Sequence, residues 1–131
     1  MNIFAVGIGG FFGAIFRYLI GKLISPTDGF PFGTLTINLL GCLFLAWFLT
    51  ITFNRRNIHP NLILAIGTGF TGAFTTFSTF SVETLNLIKN HQMIFALLYV
   101  LLSVVGGIAL ALFGAKLAGI QSGNQQRGGA K

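Results

Sequence analysis

Residues 57–82 read NIHPNLILAIGTGFTGAFTTFSTFSV, 26 positions without a charged side chain. Two features of this stretch decide the fold. It exceeds the ~20 apolar residues that cross a bilayer as helix, and its middle is a poor helix former. Gly67, Gly69 and Gly72 are interspersed with Thr68, Thr71, Thr75 and Thr76, and glycine and β-branched threonine both disfavour helix. The 29 residues between His59 and Lys89 would extend ~43 Å as continuous helix, well beyond the ~30 Å hydrocarbon core. That surplus can absorb an interruption, expected near 72–77. Irregular backbone at membrane depth is tolerated only where protein buries it or it lines a cavity. A break there sets carbonyls and hydroxyls in the protein centre, a ready ion site.

The flanking sequence repeats the theme. Residues 29–54 and 90–115 are uncharged runs of 26 residues each, whereas 1–16 is slightly short, so a first span from about Ile3 to Gly21 takes in Arg17. The segments lack the alternation of barrel strands. The predicted fold class is an all-α integral membrane protein with four transmembrane helices, at about 3–22, 33–53, 61–88 and 94–118, the third broken mid-membrane. These form one transmembrane domain over 1–120, and the polar, Gly/Gln-rich tail 121–131 is expected to be disordered. Ser25-Pro26-Thr27-Asp28-Gly29, Asn54-Arg55-Arg56-Asn57 with His59-Pro60, and Asn90-His91-Gln92 punctuate the connections. The first segment has no basic leader region and reads as a span, not a cleaved signal. The expected location is the cell (inner) membrane, multi-pass.

Composition agrees. Of 131 residues, 53% are hydrophobic and 8% charged, against roughly 25% charged in soluble domains. The only acids are Asp28 and Glu83, and eight basic residues give a net charge of +6 without any cluster or stripe. Soluble enzymes and nucleic-acid binders are excluded as readings. Cys42 is the only cysteine, so no intrachain disulfide exists. Gly67-x-Gly69-x-x-Gly72 matches the dinucleotide fingerprint, but it lies inside an uncharged span without the strand–turn–helix setting or the distant acid, so no nucleotide is expected.

Four spans put both termini on one side, with Arg55, Arg56, Lys116, Arg127 and Lys131; Lys22 and Lys89 lie opposite, with Arg17 if it reaches an interface. The positive-inside rule favours cytoplasmic termini. Without the tail the two sides nearly balance, so insertion both ways round is credible. Ser103, Gly107, Ala111, Ala115 and Gly119 recur every four residues on the fourth helix, as do Gly9, Gly13, Arg17 and Gly21 on the first. Such stripes let helices pack closely. Arg17 then points toward protein or a water-filled vestibule, with snorkelling to the nearby helix end as the alternative. Four thin helices enclose little space, so an oligomer, most simply a dimer, is needed to build a pathway.

Phe77 and Phe80 flank Ser78 and Thr79. The ring edge of phenylalanine carries partial positive charge, so edges turned inward can solvate a small anion; plain packing is the competing role. Donors that would replace lost water are Ser78, Thr79, Asn38 on the second helix, and Tyr99 with Ser103 on the fourth. Glu83 lies one turn past Thr79, and spacing leaves open whether it meets Arg17 or an interface.

At these residues the sequence resembles the Fluc fluoride channels, also called the CrcB family. The likeness covers nearly the whole chain, on Gly9-Gly10-x-x-Gly13-Ala14-x-x-Arg17-Tyr18, Gly33-Thr34-Leu35-x-x-Asn38-x-x-Gly41, and Gly69-Phe70-x-Gly72-x-x-Thr75-Thr76-Phe77-Ser78-Thr79-Phe80-Ser81-x-Glu83. It implies an antiparallel, dual-topology homodimer with two narrow pores that passively export fluoride. By position it makes Phe77 and Phe80 pore-lining, Asn38 part of the route, and Tyr99 and Ser103 the start of a polar track. The next position of that track is Gly107 here, a departure from the family pattern. The resemblance also implies a structural sodium ion on the dimer axis, held by the backbone carbonyls of Gly72 and Thr75. The competing function is a small proton-coupled exporter of the four-helix, dual-topology type, which needs an intramembrane carboxylate; only Glu83 qualifies.

Overall fold

The computed structural model describes residues 2–24, 29–54 and 58–128. The predicted turn at 25–28, the basic pair at 55 and 56, and the tail end at 129–131 lie outside them. Helix α1 is Ile3–Leu23, and Lys22 in its last turn suits the negative end of the helix dipole. Helix α2 is Phe32–Asn54. Pro31 just before it has no N–H to lose, and its carbonyl accepts from the Leu35 N–H at 3.1 Å. Among the described residues, four helical stretches are long and apolar enough to cross a membrane: Ile3–Leu23, Phe32–Asn54, Pro60–Lys89 and Met93–Gln121. Their number is the four that the uncharged runs predict.

The third span is not one α-helix. It opens as α3, Pro60–Ile63, where His59 caps by accepting from the Asn61 N–H at 3.2 Å and Pro60 occupies the first turn. A π-helix, Leu64–Phe70, follows, then α4, Thr71–Phe74. The Thr71 hydroxyl donates to the Ile66 carbonyl at 3.0 Å, five residues back, which fits the wide turn. Hydropathy and spacing do not foretell this π-helix. The chain then breaks: Thr75 (φ −78, ψ 157) and Thr76 (φ −145, ψ 121) are both extended. The interruption expected near 72–77 thus falls at Thr75–Thr76. Helix α5, Phe77–Lys89, completes the span.

The chain reverses after α5 through a tight cap. His91 takes a positive φ of 58, and the Gln92 and His91 N–H groups reach back to the Leu87 and Ile88 carbonyls at 2.9 and 3.1 Å. Helix α6, Met93–Gly128, runs past the predicted end at 118. Its backbone stays helical into the segment expected to lack structure from 121, since no proline stops it.

Packing follows the glycines. Helix α1 lies against the π-helix and α4, and α2 against α6. A Cβ at Gly9 would overlap the Ala65 carbonyl, one at Gly13 the Phe70 carbonyl, and one at Gly69 the Val6 carbonyl. This seam is backbone on backbone. The α1 stripe makes close contact only in its first half: Gly9 and Gly13 are buried, Arg17 is half-buried and Gly21 is exposed. On α6 the contact line starts at Gly107 but ends on Gly114 and Ala118, while Gly119 faces open space. The predicted four-residue register fails there because it drifts ~40° per repeat around a helix of 3.6 residues per turn. A small core of Phe30, Leu35, Leu87, Ala96 and Tyr99, flanked by Leu39 and Phe80, holds the α5 half of the molecule.

Candidate ion site at the helix break

The break is held by side chains on two sides. From α2, the Asn38 Oδ1 accepts from the Thr76 N–H at 2.9 Å, and Asn38 Nδ2 donates to the Thr76 carbonyl at 3.0 Å. One turn on, a Cβ at Gly41 would overlap the Thr75 side chain, so glycine lets Thr75 seat against α2. From its own chain, the Thr76 Oγ1 caps α5 by accepting from the Thr79 N–H at 3.2 Å. The same hydroxyl meets Thr79 Oγ1 at 3.0 Å and Ser78 Oγ at 3.3 Å.

These bonds strip the break of its helical donors. In unbroken helix the Thr76 N–H would serve the Gly72 carbonyl, and the Thr79 N–H the Thr75 carbonyl. Both are diverted, to Asn38 and to Thr76 Oγ1. Gly72 is exposed, and a Cβ built there meets nothing within 4 Å. Two neutral carbonyl oxygens, one of them on an exposed residue, suit a hard cation that prefers oxygen ligands. Among the described residues no group of three His, Cys, Asp or Glu is placed to hold a metal.

Beside the break lies a cavity of about 350 Å³ lined by Asn38, Thr71, Thr75, Thr76, Phe77, Phe80 and Ser103, together with Gly41 and Cys42. It brings together Asn38, Phe77, Phe80 and Ser103 of the sequence-predicted pathway. Among the described residues no carboxylate lines it. Ser103 Oγ is buried with no hydrogen-bond partner among the described residues. Phe77 and Phe80 are neighbours, with centroids 5.8 Å apart, and Phe77 is 80% exposed. Ser78 and Thr79 do not line the cavity; both are exposed on the α5 face and belong to the Thr76 cap.

Tyr99 stands behind the cavity. Its ring is fully buried, 5.0 Å from Phe80 and 5.7 Å from Phe30. Its hydroxyl donates to Glu83 Oε2 at 2.7 Å, and the Thr34 hydroxyl donates to Oε1 at 2.8 Å. Among the described residues Glu83 engages these two hydroxyls and not Arg17. Arg17 makes no ion pair or hydrogen bond among the described residues. Glu83 also borders a separate polar cavity of about 340 Å³ with Asn86, Asn90 and Gln92, next to the turn that ends α5.

Thr34 and Thr76 are functional positions beyond those expected from the sequence. Thr76 was legible as a cap, being a threonine just before the run that opens α5; Thr34 carried no local signal, since its partner is 49 residues away. Gly107 also finds its explanation. A Cβ there would come within 3.3 Å of Cys42 Sγ, so the sulfur stands where a side chain from 107 would otherwise project.

The sequence model of the family described as CrcB-like protein, Camphor Resistance (CrcB), matches residues 4–115. The chain is 49% identical over 117 residues to the Fluoride-specific ion channel FluC of Oceanobacillus iheyensis, covering 89% of this chain and 91% of that one. It is 48% identical over 107 residues to the Fluoride-specific ion channel FluC 1 of Desulfitobacterium hafniense, covering 82% and 94%. The Fluoride-specific ion channel FluC of Methanocaldococcus jannaschii is 46% identical over 117 residues, covering 89% and 94%. With a match through all four spans and identity near one half across most of both chains, this protein belongs to the CrcB family.

Proposed function

We propose that this chain is a fluoride-selective channel, not an enzyme, that lets fluoride leave the cytoplasm passively through two narrow pores of an antiparallel homodimer in the lipid bilayer. The observation that carries the reading is the cavity at the break. It joins phenylalanine rings, hydroxyls and an amide, and among the described residues no carboxylate lines it. Ring edges and O–H groups attract an anion weakly enough to release it, whereas a fixed cation would trap it. Phe77, Phe80, Asn38 and Ser103 form the wall, Ser78 and Thr79 face the approach, and Tyr99 backs Phe80. Arg17 serves as a vestibule charge, and Glu83 as the acceptor that orients Tyr99.

The exposed face of α5 supports the dimer. Ser78, Thr79 and Phe77 are exposed next to the break, in the middle of a span. Hydroxyls facing hydrocarbon are costly, and a second copy would cover them. The nearly balanced charges fit antiparallel insertion. The Gly72 and Thr75 carbonyls, freed of their helical donors, would hold a sodium ion on the dimer axis. The ion would supply a fixed positive charge that fastens the two breaks together.

Proteoliposomes loaded with fluoride test the reading. Efflux is expected without a proton gradient and with little chloride flux, and Phe80→Ala is expected to lower it at least ~10-fold while crosslinking still reports antiparallel dimers. Efflux that requires a pH gradient would instead establish the proton-coupled exporter. Both Glu83 oxygens already accept hydrogen bonds, which favours the channel. The unique thiol offers a second check. Because Cys42 lines the cavity, a small methanethiosulfonate reagent is expected to block efflux in the parent and to spare Cys42→Ser. Equal block in both would place the thiol off the route.

A further inference from the structure

We propose that Asn38 is a positioning residue for a cation: its carboxamide keeps the Gly72 carbonyl free by holding away the N–H that would otherwise close on it. The inference rests on the reading of the Gly72 and Thr75 carbonyls as sodium ligands. Asparagine offers one acceptor group and one donor group, and here both act on a single residue, Thr76, at 2.9 and 3.0 Å. The paired bonds resemble those between two extended strands, and Thr76 is extended accordingly (φ −145, ψ 121). The partners also fix which way the amide points, since only Oδ1 can accept from an N–H and only Nδ2 can donate to a carbonyl.

The geometry ties α2 to the ion site by a short chain of causes. Helical backbone returns the N–H of residue 76 to the carbonyl of residue 72. Asn38 takes that N–H, so the break stays open and the Gly72 oxygen keeps its lone pairs. Thr76 Oγ1 does the same for the Thr75 carbonyl by taking the Thr79 N–H. Gly41, one turn beyond Asn38, gives the room that seats Thr75. The residue that touches the anion cavity is therefore also the residue that shapes the cation ligands. Without the Asn38 acceptor, the Thr76 N–H can return to Gly72 and withdraw one oxygen from each subunit.

The test is sodium-dependent thermal unfolding of the purified full-length protein, with sodium exchanged for N-methylglucamine at constant chloride. The parent is expected to gain stability with a saturating sodium midpoint. In Asn38→Ala that midpoint should rise at least ~10-fold, one ligand lost corresponding to more than 1.4 kcal/mol. Asn38→Asp, which keeps the acceptor for the Thr76 N–H, should hold the midpoint within ~3-fold of the parent even as its new charge lowers fluoride efflux. A purely structural role would shift the unfolding temperature without moving the sodium midpoint. If Asn38→Ala does not fold, Thr76→Ala must show the same rise, because it frees the Thr79 N–H. A parental midpoint in Asn38→Ala, or in Thr76→Ala where that is the variant that folds, overturns the inference alone. A parent indifferent to sodium overturns the cation reading as well.

Discussion

Gly9→Ala is expected to abolish recovery of folded protein. The added Cβ would coincide with the Ala65 carbonyl and lie 3.0 Å from the Phe70 backbone nitrogen. Backbone atoms cannot rotate aside as a side chain can, so α1 would have to move away as a body. That motion would also open the contacts at Gly13 and Gly69, which are built the same way. Overpacking of this kind costs about 3 kcal/mol or more, a large share of the stability of a small domain. Gly7→Ala, on the same helix with nothing within 4 Å of the new carbon, is expected to stay within ~0.5 kcal/mol. Yield of monodisperse protein after detergent extraction, with thermal unfolding of what is recovered, compares the two. Similar yields and midpoints would mean that the α1 seam is looser than these distances.

Glu83→Ala is expected to have the second largest effect, on stability and on flux together. Glu83 accepts two short hydrogen bonds, from Tyr99 at 2.7 Å and from Thr34 at 2.8 Å. Removing the carboxylate strands both hydroxyls, and Tyr99 is fully buried while Thr34 is 8% exposed. A buried donor without a partner costs about 1–3 kcal/mol, so a loss of roughly 2–4 kcal/mol is expected. Efflux should drop at least ~10-fold in the same variant, since Phe80 rests 5.0 Å from the ring that Glu83 orients. Adding Tyr99→Phe should return part of the lost stability, because it removes the stranded hydroxyl. Unfolding measurements on the two single variants and the double variant give the coupling directly. Additive losses would show that the pair acts separately.

Both predictions depend on contacts of different legibility. That α1 would pack closely was readable, because Gly9 and Gly13 recur on one face. Which atoms they meet was not, since the partner carbonyls belong to a π-helix that no local pattern announces. Hydrophobic length and the polar middle of residues 57–82 were enough to expect a break, and it lies at Thr75–Thr76. Of the residues expected along the pathway, Asn38, Phe77, Phe80 and Ser103 line one cavity, while Ser78, Thr79 and Tyr99 do not. Ser78 and Thr79 lie on the exposed face of α5 beside that cavity, with their hydroxyls against the Thr76 cap, because a helix beginning at Phe77 needs Thr76 as acceptor for its first N–H groups.

What the amino-acid sequence determined by itself is therefore the class, the number of spans and the place of the interruption. These follow from one-dimensional quantities: the length of uncharged runs, the surplus over a bilayer's thickness and the density of poor helix formers. Tertiary structure alone decided the pairings. Asn38 reaches Thr76 across 38 residues, Thr34 reaches Glu83 across 49, and Cys42 fills the space at Gly107. Such contacts depend on helix rotation and depth, and a shift of one residue turns a side chain by ~100°. Spacing along the chain cannot carry that information. Close packing of glycine faces sets it, by leaving two helices a single way to approach.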